Sequence, residues 1–162
     1  MEHSTAADTA RVRLATVDDL PAIVALLRDD RLGATREDAA DAADAGASYR
    51  DAFDEISRDP QHEILVLELD GAVAGVLQLS FLRCLTHRGG RRAQIEGVRI
   101  DGVRRGGGLG RVLVGDAVRR ARERGCHLVQ LTTDRERPDA IAFYQRLGFA
   151  GTHHGMKLHL RG

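Results

Sequence analysis

The sequence lacks tryptophan and has only two cysteines and a single lysine, Lys157, among 162 residues. Cys84 and Cys126 cannot form a disulfide framework, and no C-x-x-C pair indicates a zinc or redox site. No apolar run approaches the about 18 residues that a membrane span needs, and residues 1–10 have no apolar signal core. These absences predict a cytoplasmic protein with reduced thiols and no membrane partner.

An excess of either charge is also missing, because 24 Lys and Arg balance 24 Asp and Glu. A nucleic-acid-binding domain normally carries a basic excess, so we expect no nucleic-acid partner. The charges are nevertheless segregated. Residues 29–59 carry ten acids and four arginines, a net charge of −6, and residues 83–124 carry twelve arginines and four acids, a net charge of +8. The first segment suits a cationic ligand and the second an anionic one, and both are also compatible with solvated faces.

The length and the 43% apolar content predict one domain at residues 11–162, preceded by a small, polar, disordered tail at residues 1–10. Hydrophobic periodicity predicts the order β-α-α-β-β-β-α-β-α-β. The second helix should be marginal or a mobile flap, because residues 39–47 contain no large apolar side chain. Alternating Met156, Leu158 and Leu160 predict the last strand. This order indicates an α/β sandwich with one mixed sheet.

A glycine-rich turn connects a predicted strand to a predicted helix, with four glycines in the five positions 106–110. Glycines allow backbone N–H groups to converge, and the first turn of a helix has unpaired donors at the positive end of its dipole. The segment therefore favours a phosphate-binding loop, to which Arg104, Arg105 and Arg111 add charged donors. For the glycines alone, a flexible surface turn is the alternative.

Two common phosphate-binding motifs do not fit this turn. A dinucleotide-binding fingerprint, G-x-G-x-x-G, needs a glycine three residues after Gly108, where this sequence has Arg111. A Walker A loop needs a lysine, which the segment lacks. The pattern R-x-x-G-x-G, at Arg105, Gly108 and Gly110, fits instead.

With this pattern the sequence resembles the GNAT acyltransferase superfamily, whose pyrophosphate loop has the same form between a strand and a helix. Residues 140–149, AIAFYQRLGF, resemble the family helix that ends in a tyrosine followed by L-G-F. Residues 96–100, EGVRI, resemble the strand that precedes the loop. The resemblance covers residues 11–160.

The resemblance implies a single-domain GNAT-like fold. Its mixed sheet should have six or seven strands, flanked by about four helices. Two central parallel strands, at residues 96–100 and 127–133, should splay apart around acetyl-CoA, the cosubstrate, and no metal is expected. Arg137 replaces an asparagine found in many members and is a candidate for a phosphate contact. The implied cofactor-binding residues are Val98, Arg99, Ile100, Arg105, Gly106, Gly107, Gly108, Leu109, Gly110, Arg111 and Arg137.

Acetyl transfer to an amine requires a neutral nucleophile, and deprotonating an amine with a pKa of about 10.4 costs roughly 4.6 kcal/mol at pH 7. A base must assist. Glu96 is the leading candidate and should share a strand face with Val98 and Ile100; an ion pair with a nearby arginine is the alternative. His153 or His154 is a second candidate base, since histidine titrates near neutral pH. The resemblance makes Tyr144 the proton donor to the departing thiolate; packing in the core is the alternative.

In the family, the first two helices border the acceptor site, and here that region is acidic. We therefore expect the acceptor to be a small cationic primary amine that attacks the thioester directly. A peptide N-terminus is an alternative acceptor, and an acyl-CoA-binding regulatory module without catalysis is an alternative function. A homodimer is compatible with the resemblance.

Overall fold

A computed structural model describes residues 9–29 and 42–160, with backbone alone for residues 42–45. Residues 1–8 of the expected tail, and residues 30–41 of the acidic segment, lie outside the described residues. The strands are β1 Arg11–Leu14, β2 His62–Leu69, β3 Ala72–Arg83, β4 Arg91–Ile100 and β5 Cys126–Leu131. The helices are α1 Leu20–Arg28, α2 Ala42–Arg58, α3 Leu109–Glu123 and α4 Pro138–Arg146, beside short helical turns at Val17–Asp19, Thr86–Gly89 and Gly102–Arg104.

The five strands of the described residues form one mixed sheet in the order β1-β2-β3-β4-β5, which confirms the predicted mixed sheet with fewer strands than the six or seven expected. The first three pairs are antiparallel, and β4 pairs with β5 in parallel. Asp70 and Gly71, with φ of 53° and 76°, form the tight turn between β2 and β3. Asp-Gly is typical of such a turn, because it supplies the two positive φ angles of a type I′ hairpin.

The main hydrophobic core lies between the sheet and α3. Leu109, Leu113 and Ala117 of α3 are buried there, and half-buried Phe143 of α4 and Leu147, which follows that helix, lie at the margin. On the opposite face a smaller cluster joins Ile23 of α1 to β2 and β3. The sheet is therefore covered on both faces at β2 and β3, as the predicted sandwich requires.

A capping box at Thr16 starts the short helical turn Val17–Asp19, which leads into α1. The Thr16 N–H donates to Oδ2 of Asp19 at 2.7 Å, and the Asp19 N–H donates to the Thr16 carbonyl at 3.0 Å. Arg13 of β1 holds the same carboxylate through Nη1 at 2.7 Å, and this guanidinium lowers the pKa of Asp19 from 3.8 to about 2. The ion pair thereby connects the first strand to the first helix.

The predicted strand at residues 156–160 is wrong for the described chain. No strand is present there, and Met156, Leu158 and Leu160 are 94%, 85% and 88% exposed. A strand needs a neighbour for its backbone hydrogen bonds, which period-two alternation alone does not provide. The expected second helix is present as α2, anchored by buried Phe53.

Candidate functional site

The parallel strands β4 and β5 separate partway along their length. Their pairing ends at Ile95 opposite Leu131, although β4 continues to Ile100. Residues 96–100 therefore have β3 on one side and no strand on the other within the described chain. The separation confirms the predicted splay and leaves part of the β4 backbone available to a ligand.

Gly97 causes a β-bulge at the start of this separation. Its φ is 63°, and the pairing with β3 shifts between Val76 opposite Arg99 and Gln78 opposite Glu96. Val98 packs against the main core. Glu96 lies opposite Gln78, whose neighbours along β3 face that core, so Gln78 and Glu96 face away from it. The prediction that Glu96 shares a face with Val98 and Ile100 is thus wrong, because a bulge inserts one residue and reverses the alternation.

The glycine-rich turn presents a set of free backbone donors. Within the described residues, the N–H groups of residues 106–110 donate to no carbonyl, whereas those of Arg111 and Val112 bond to the Gly108 carbonyl at 3.0 and 3.2 Å. Gly108 caps α3 with a φ of 79°, a conformation that side chains disfavour. The side chain of Leu109 is buried, so only its backbone can contact a ligand here. The turn therefore has the donors and the helix dipole that bind phosphate.

The arginines around the turn differ in their contacts. Arg104 bonds to Leu69 O at 3.5 Å and pairs with Asp101 at 3.6 Å. Arg105 is exposed, and its Nε donates to the Ile100 carbonyl at 3.3 Å. Arg111 is exposed and has no side-chain partner among the described residues. Arg105 and Arg111 are thus the two guanidiniums best placed to receive an anion.

Gly110 brings helix α4 against the head of α3. A Cβ atom at Gly110 would lie 3.1 Å from Cζ and 3.3 Å from Cε2 of Phe143. These distances are tighter than ordinary van der Waals contact, so the absence of a side chain permits the approach. The Gly110 contact therefore positions the residue that follows Phe143, Tyr144.

Tyr144 lies in an apolar setting beside two cations. Its ring contacts Phe143 and Phe149 edge to face, at centroid distances of 5.1 and 5.8 Å. Burial raises the pKa of Tyr144 above 10.0, partly opposed by the charges of Arg99 and Arg137. The hydroxyl makes no hydrogen bond with any described residue. A phenol in this state is protonated at neutral pH and free to donate.

Glu96 is exposed and makes no ion pair or hydrogen bond within the described residues, so the predicted alternative of an arginine partner is not seen there. It lies on the sheet face opposite the main core, whereas Tyr144 packs against that core. The two candidate catalytic groups therefore approach the opening between β4 and β5 from opposite faces of the sheet.

A row of polar side chains, which the sequence analysis missed, crosses four strands beside Glu96. Cross-strand pairs connect His62, Ser80, Gln94 and Gln130 in that order. The His62 Nδ1 lies 2.8 Å from Ser80 Oγ, and Gln130 Nε2 donates to Gln94 Oε1 at 2.6 Å. We call these four residues the polar row. The same strands contain other polar residues, so the sequence alone does not single out these four.

The histidines near the C-terminus are exposed. His153 bonds through Nδ1 to Thr152 Oγ1 at 2.7 Å, and His154 Nδ1 lies 3.5 Å from Arg135. Neither lies on a strand, so the structure does not give either the expected orientation into a cleft. Among the described residues, no group of three potential ligands could hold a metal ion. Within the same residues, no helix combines the length and apolar character needed to cross a bilayer.

Comparison with known proteins identifies the family. Residues 21–149 match the model of the acetyltransferase (GNAT) family, and the chain belongs to this family. It is 32% identical over 90 residues to glucosamine 6-phosphate N-acetyltransferase of Trypanosoma brucei brucei, covering 56% of this chain and 59% of that protein. It is 33% identical over 109 residues to glucosamine 6-phosphate N-acetyltransferase 1 of Oryza sativa subsp. japonica, covering 63% of this chain and 62% of that protein. The chain thus spans about three fifths of these two relatives.

A solved structure described as a transcriptional regulator from Bacillus halodurans C-125 is 46% identical, with a TM-score of 0.88. The match covers 93% of this chain and 99% of that one. Family membership confirms the predicted resemblance, and acetyl-CoA is the cosubstrate of GNAT acetyltransferases.

Proposed function

We propose that this protein is an acetyl-CoA-dependent N-acetyltransferase whose acceptor, a primary amine, attacks the thioester directly. The proposal rests on two backbone features that follow one another along the chain. The side of β4 that lacks a partner strand at residues 96–100 leads into the free N–H groups of residues 106–110. A pantetheine arm and its pyrophosphate need such a sequence of backbone groups followed by an anion-binding turn.

Several residues support the placement of the cosubstrate. The Val98 and Ile100 carbonyls now accept from the side chains of Arg99, at 2.8 Å, and Arg105, at 3.3 Å. These carbonyls therefore accept from flexible side chains, and pantetheine amides would replace the guanidiniums as donors. The pyrophosphate would bind the N–H groups of residues 106–110 together with Arg105 and Arg111. Arg137 lies close enough to Tyr144 to influence its pKa, which supports a role near the cosubstrate.

Two side chains would move the protons. Glu96, whose carboxylate has no partner within the described chain, would remove a proton from the acceptor ammonium directly or through water. The neutral amine would then add to the thioester carbonyl, and the C–S bond would break. Tyr144 would donate its proton to the departing thiolate, because its raised pKa keeps the phenol protonated.

For the acceptor, we propose a small cationic amine that carries hydroxyl or amide groups. The polar row supplies amide and hydroxyl groups near Glu96, which suits an acceptor with several hydrogen-bonding groups. Asp29, Asp51 and Asp54 belong to the described part of the acidic segment, which favours a cation. The two glucosamine 6-phosphate acetyltransferases act, by their names, on an amine of this polyhydroxylated kind.

The test measures turnover of acetyl-CoA by the loss of thioester absorbance. This measurement needs no thiol reagent, which would also react with the free Cys84 and Cys126. The panel contains amino sugars with and without phosphate, aminoglycosides, polyamines, amino acids and peptides. Turnover of hydroxylated cationic amines supports the proposal, and preference for anionic acceptors contradicts the acceptor class. Calorimetric binding of acetyl-CoA without turnover on any amine would instead identify a non-catalytic acyl-CoA-binding module, and turnover of peptides alone would identify a peptide acetyltransferase.

A further inference from the structure

The carbonyl of Ile100 faces the side of β4 that lacks a partner strand. Residues opposite one another in an antiparallel pair alternate between hydrogen-bonded and non-hydrogen-bonded pairs. The Asp101 N–H donates to the Ala74 carbonyl at 2.9 Å, so these two residues form a hydrogen-bonded pair between β3 and the end of β4. The preceding pair, Ile100 opposite Gly75, is then a non-hydrogen-bonded one whose backbone groups point away from the partner strand. A ligand in the opening between β4 and β5 can therefore reach the Ile100 carbonyl.

The side chain of Arg105 already contacts this carbonyl. Its Nε donates to the Ile100 oxygen at 3.3 Å, and the contact is exposed. Arg105 makes no ion pair with any described residue, whereas the neighbouring Arg104 pairs with Asp101 at 3.6 Å. Arg105 is thus held by a single long hydrogen bond to a neutral oxygen. An anion, which forms stronger charge-assisted hydrogen bonds with a guanidinium, can draw it away.

The two parts of a coenzyme A thioester make different demands on Arg105. The pantetheine arm is uncharged, and its amides need the β4 carbonyls as hydrogen-bond acceptors. The pyrophosphate is an anion and attracts the guanidinium towards the free N–H groups of residues 106–110, which begin at the next residue. The arm therefore competes with the Arg105 side chain for the Ile100 carbonyl, and the pyrophosphate removes that competition.

We propose that Arg105 is a specificity-determining residue for the acyl donor, and that it disfavours thioesters in which a pantetheine arm carries no pyrophosphate. The inference rests on the proposed function, in which acetyl-CoA binds along β4 and the glycine-rich turn. A donor with a pyrophosphate moves Arg105 away from Ile100 and frees the carbonyl for its own arm. A donor without one must displace the side chain unaided. Arg105 thereby makes the binding of the arm depend on the binding of the phosphates, which is a coupling between two subsites.

The first test measures pantetheine binding by NMR titration of the backbone amides of residues 96–110. Pantetheine is uncharged, so it has no direct charge attraction to inorganic pyrophosphate, the second probe. In the natural chain, saturating pyrophosphate should tighten pantetheine binding by roughly two- to tenfold, the range expected for the removal of one competing hydrogen bond.

Two alanine variants distinguish competition at Ile100 from a simple contribution to phosphate binding. Arg105→Ala and Arg111→Ala each remove a cation beside the turn, so both should bind coenzyme A more weakly. Only Arg105→Ala should bind pantetheine alone more tightly than the natural chain, by the same factor, and lose the response to pyrophosphate. Arg111 is the matched control, because its side chain is exposed and contacts no described residue. Circular dichroism establishes that each variant is folded.

The second test compares acetyl-CoA with acetylpantetheine as donors. Arg105→Ala should lower kcat/KM for acetyl-CoA and raise it for acetylpantetheine, whereas Arg111→Ala should change only the first. Unchanged or weaker pantetheine binding in Arg105→Ala would overturn the proposal, and so would a natural chain whose pantetheine affinity does not respond to pyrophosphate. A natural chain that acetylates no amine would contradict the proposed function, and the binding measurements would still decide the role of Arg105.

Discussion

The bulge at Gly97 offers a sharp test of how backbone conformation creates the site. Gly97 has a φ of 63°, and a Cβ there would meet no atom within 4 Å. Substitution by alanine therefore introduces conformational strain without a steric clash. The strain can be relieved by flattening the bulge, and a flat strand would change the faces of Val98 and Ile100 relative to Glu96 and so disturb the proposed site.

The stability cost of Gly97→Ala follows from two opposing effects. An L-residue in the left-handed region costs about 1–2 kcal/mol. Alanine also reduces the entropy of the unfolded chain, which returns about 0.4–1 kcal/mol. The net loss should be about 1 kcal/mol, which corresponds to a decrease in Tm of roughly 2–4 °C for a chain of this size.

Gly71 provides a matched control, because its φ is 76° and a Cβ there would also meet nothing within 4 Å. It lies in the turn between β2 and β3, outside the site. Both alanine variants should lose similar stability by thermal unfolding, and only Gly97→Ala should lose kcat/KM, by about tenfold or more. The reasoning is refuted if Gly97→Ala keeps kcat/KM within twofold of Gly71→Ala, or if it unfolds at the same temperature as the unmodified protein.

Three further substitutions test the separate roles. Tyr144→Phe should reduce kcat much more than the calorimetric affinity for acetyl-CoA, since the proposed role of the hydroxyl is to protonate the thiolate; equal losses would indicate packing. Because the pKa of Tyr144 is raised, rates that depend on its proton should fall only above pH 10.0. Glu96→Gln should lower kcat/KM and remove the part of the pH profile that rises with pH, and an unchanged profile would exclude Glu96 as the base. Asp19→Asn should cost about 2 kcal/mol at pH 7 in denaturant unfolding, because the carboxylate pKa falls from 3.8 to about 2 on folding. That difference should be complete above pH 4 and disappear as the pH falls through about 2; a pH-independent difference would argue against the ion pair with Arg13.

Much of the fold was predictable because its signals are local. The Asp70-Gly71 hairpin, the capping box at Thr16 and the glycine-rich turn each depend on residues adjacent in sequence, and all three are present. The face of Glu96 was not predictable from alternation, because one residue in the left-handed region reverses the pattern downstream. Gly97 was visible in the sequence, but a glycine in a strand does not by itself show where pairing shifts.

Other parts of the site depend on partners that lie far apart in the sequence. The polar row requires the register of four strands, which depends on packing across the whole sheet. The prediction of the final strand was wrong for a related reason. Alternation at Met156, Leu158 and Leu160 is typical of a strand, but it does not show that a neighbouring strand is there to pair with. The contact of Gly110 with Phe143 links two helices, and no local pattern reveals it.

That contact has a consequence for how the protein tolerates change. The first turn of α3 offers its amides to an anion on one side and receives the Phe143 ring on the other. In the proposed function, binding of the cosubstrate and orientation of the Tyr144 phenol therefore both depend on this turn. A mutation that tilts this turn should weaken acetyl-CoA binding and misorient the Tyr144 hydroxyl together. Variants selected for weaker cosubstrate binding should therefore also have a poorly oriented proton donor.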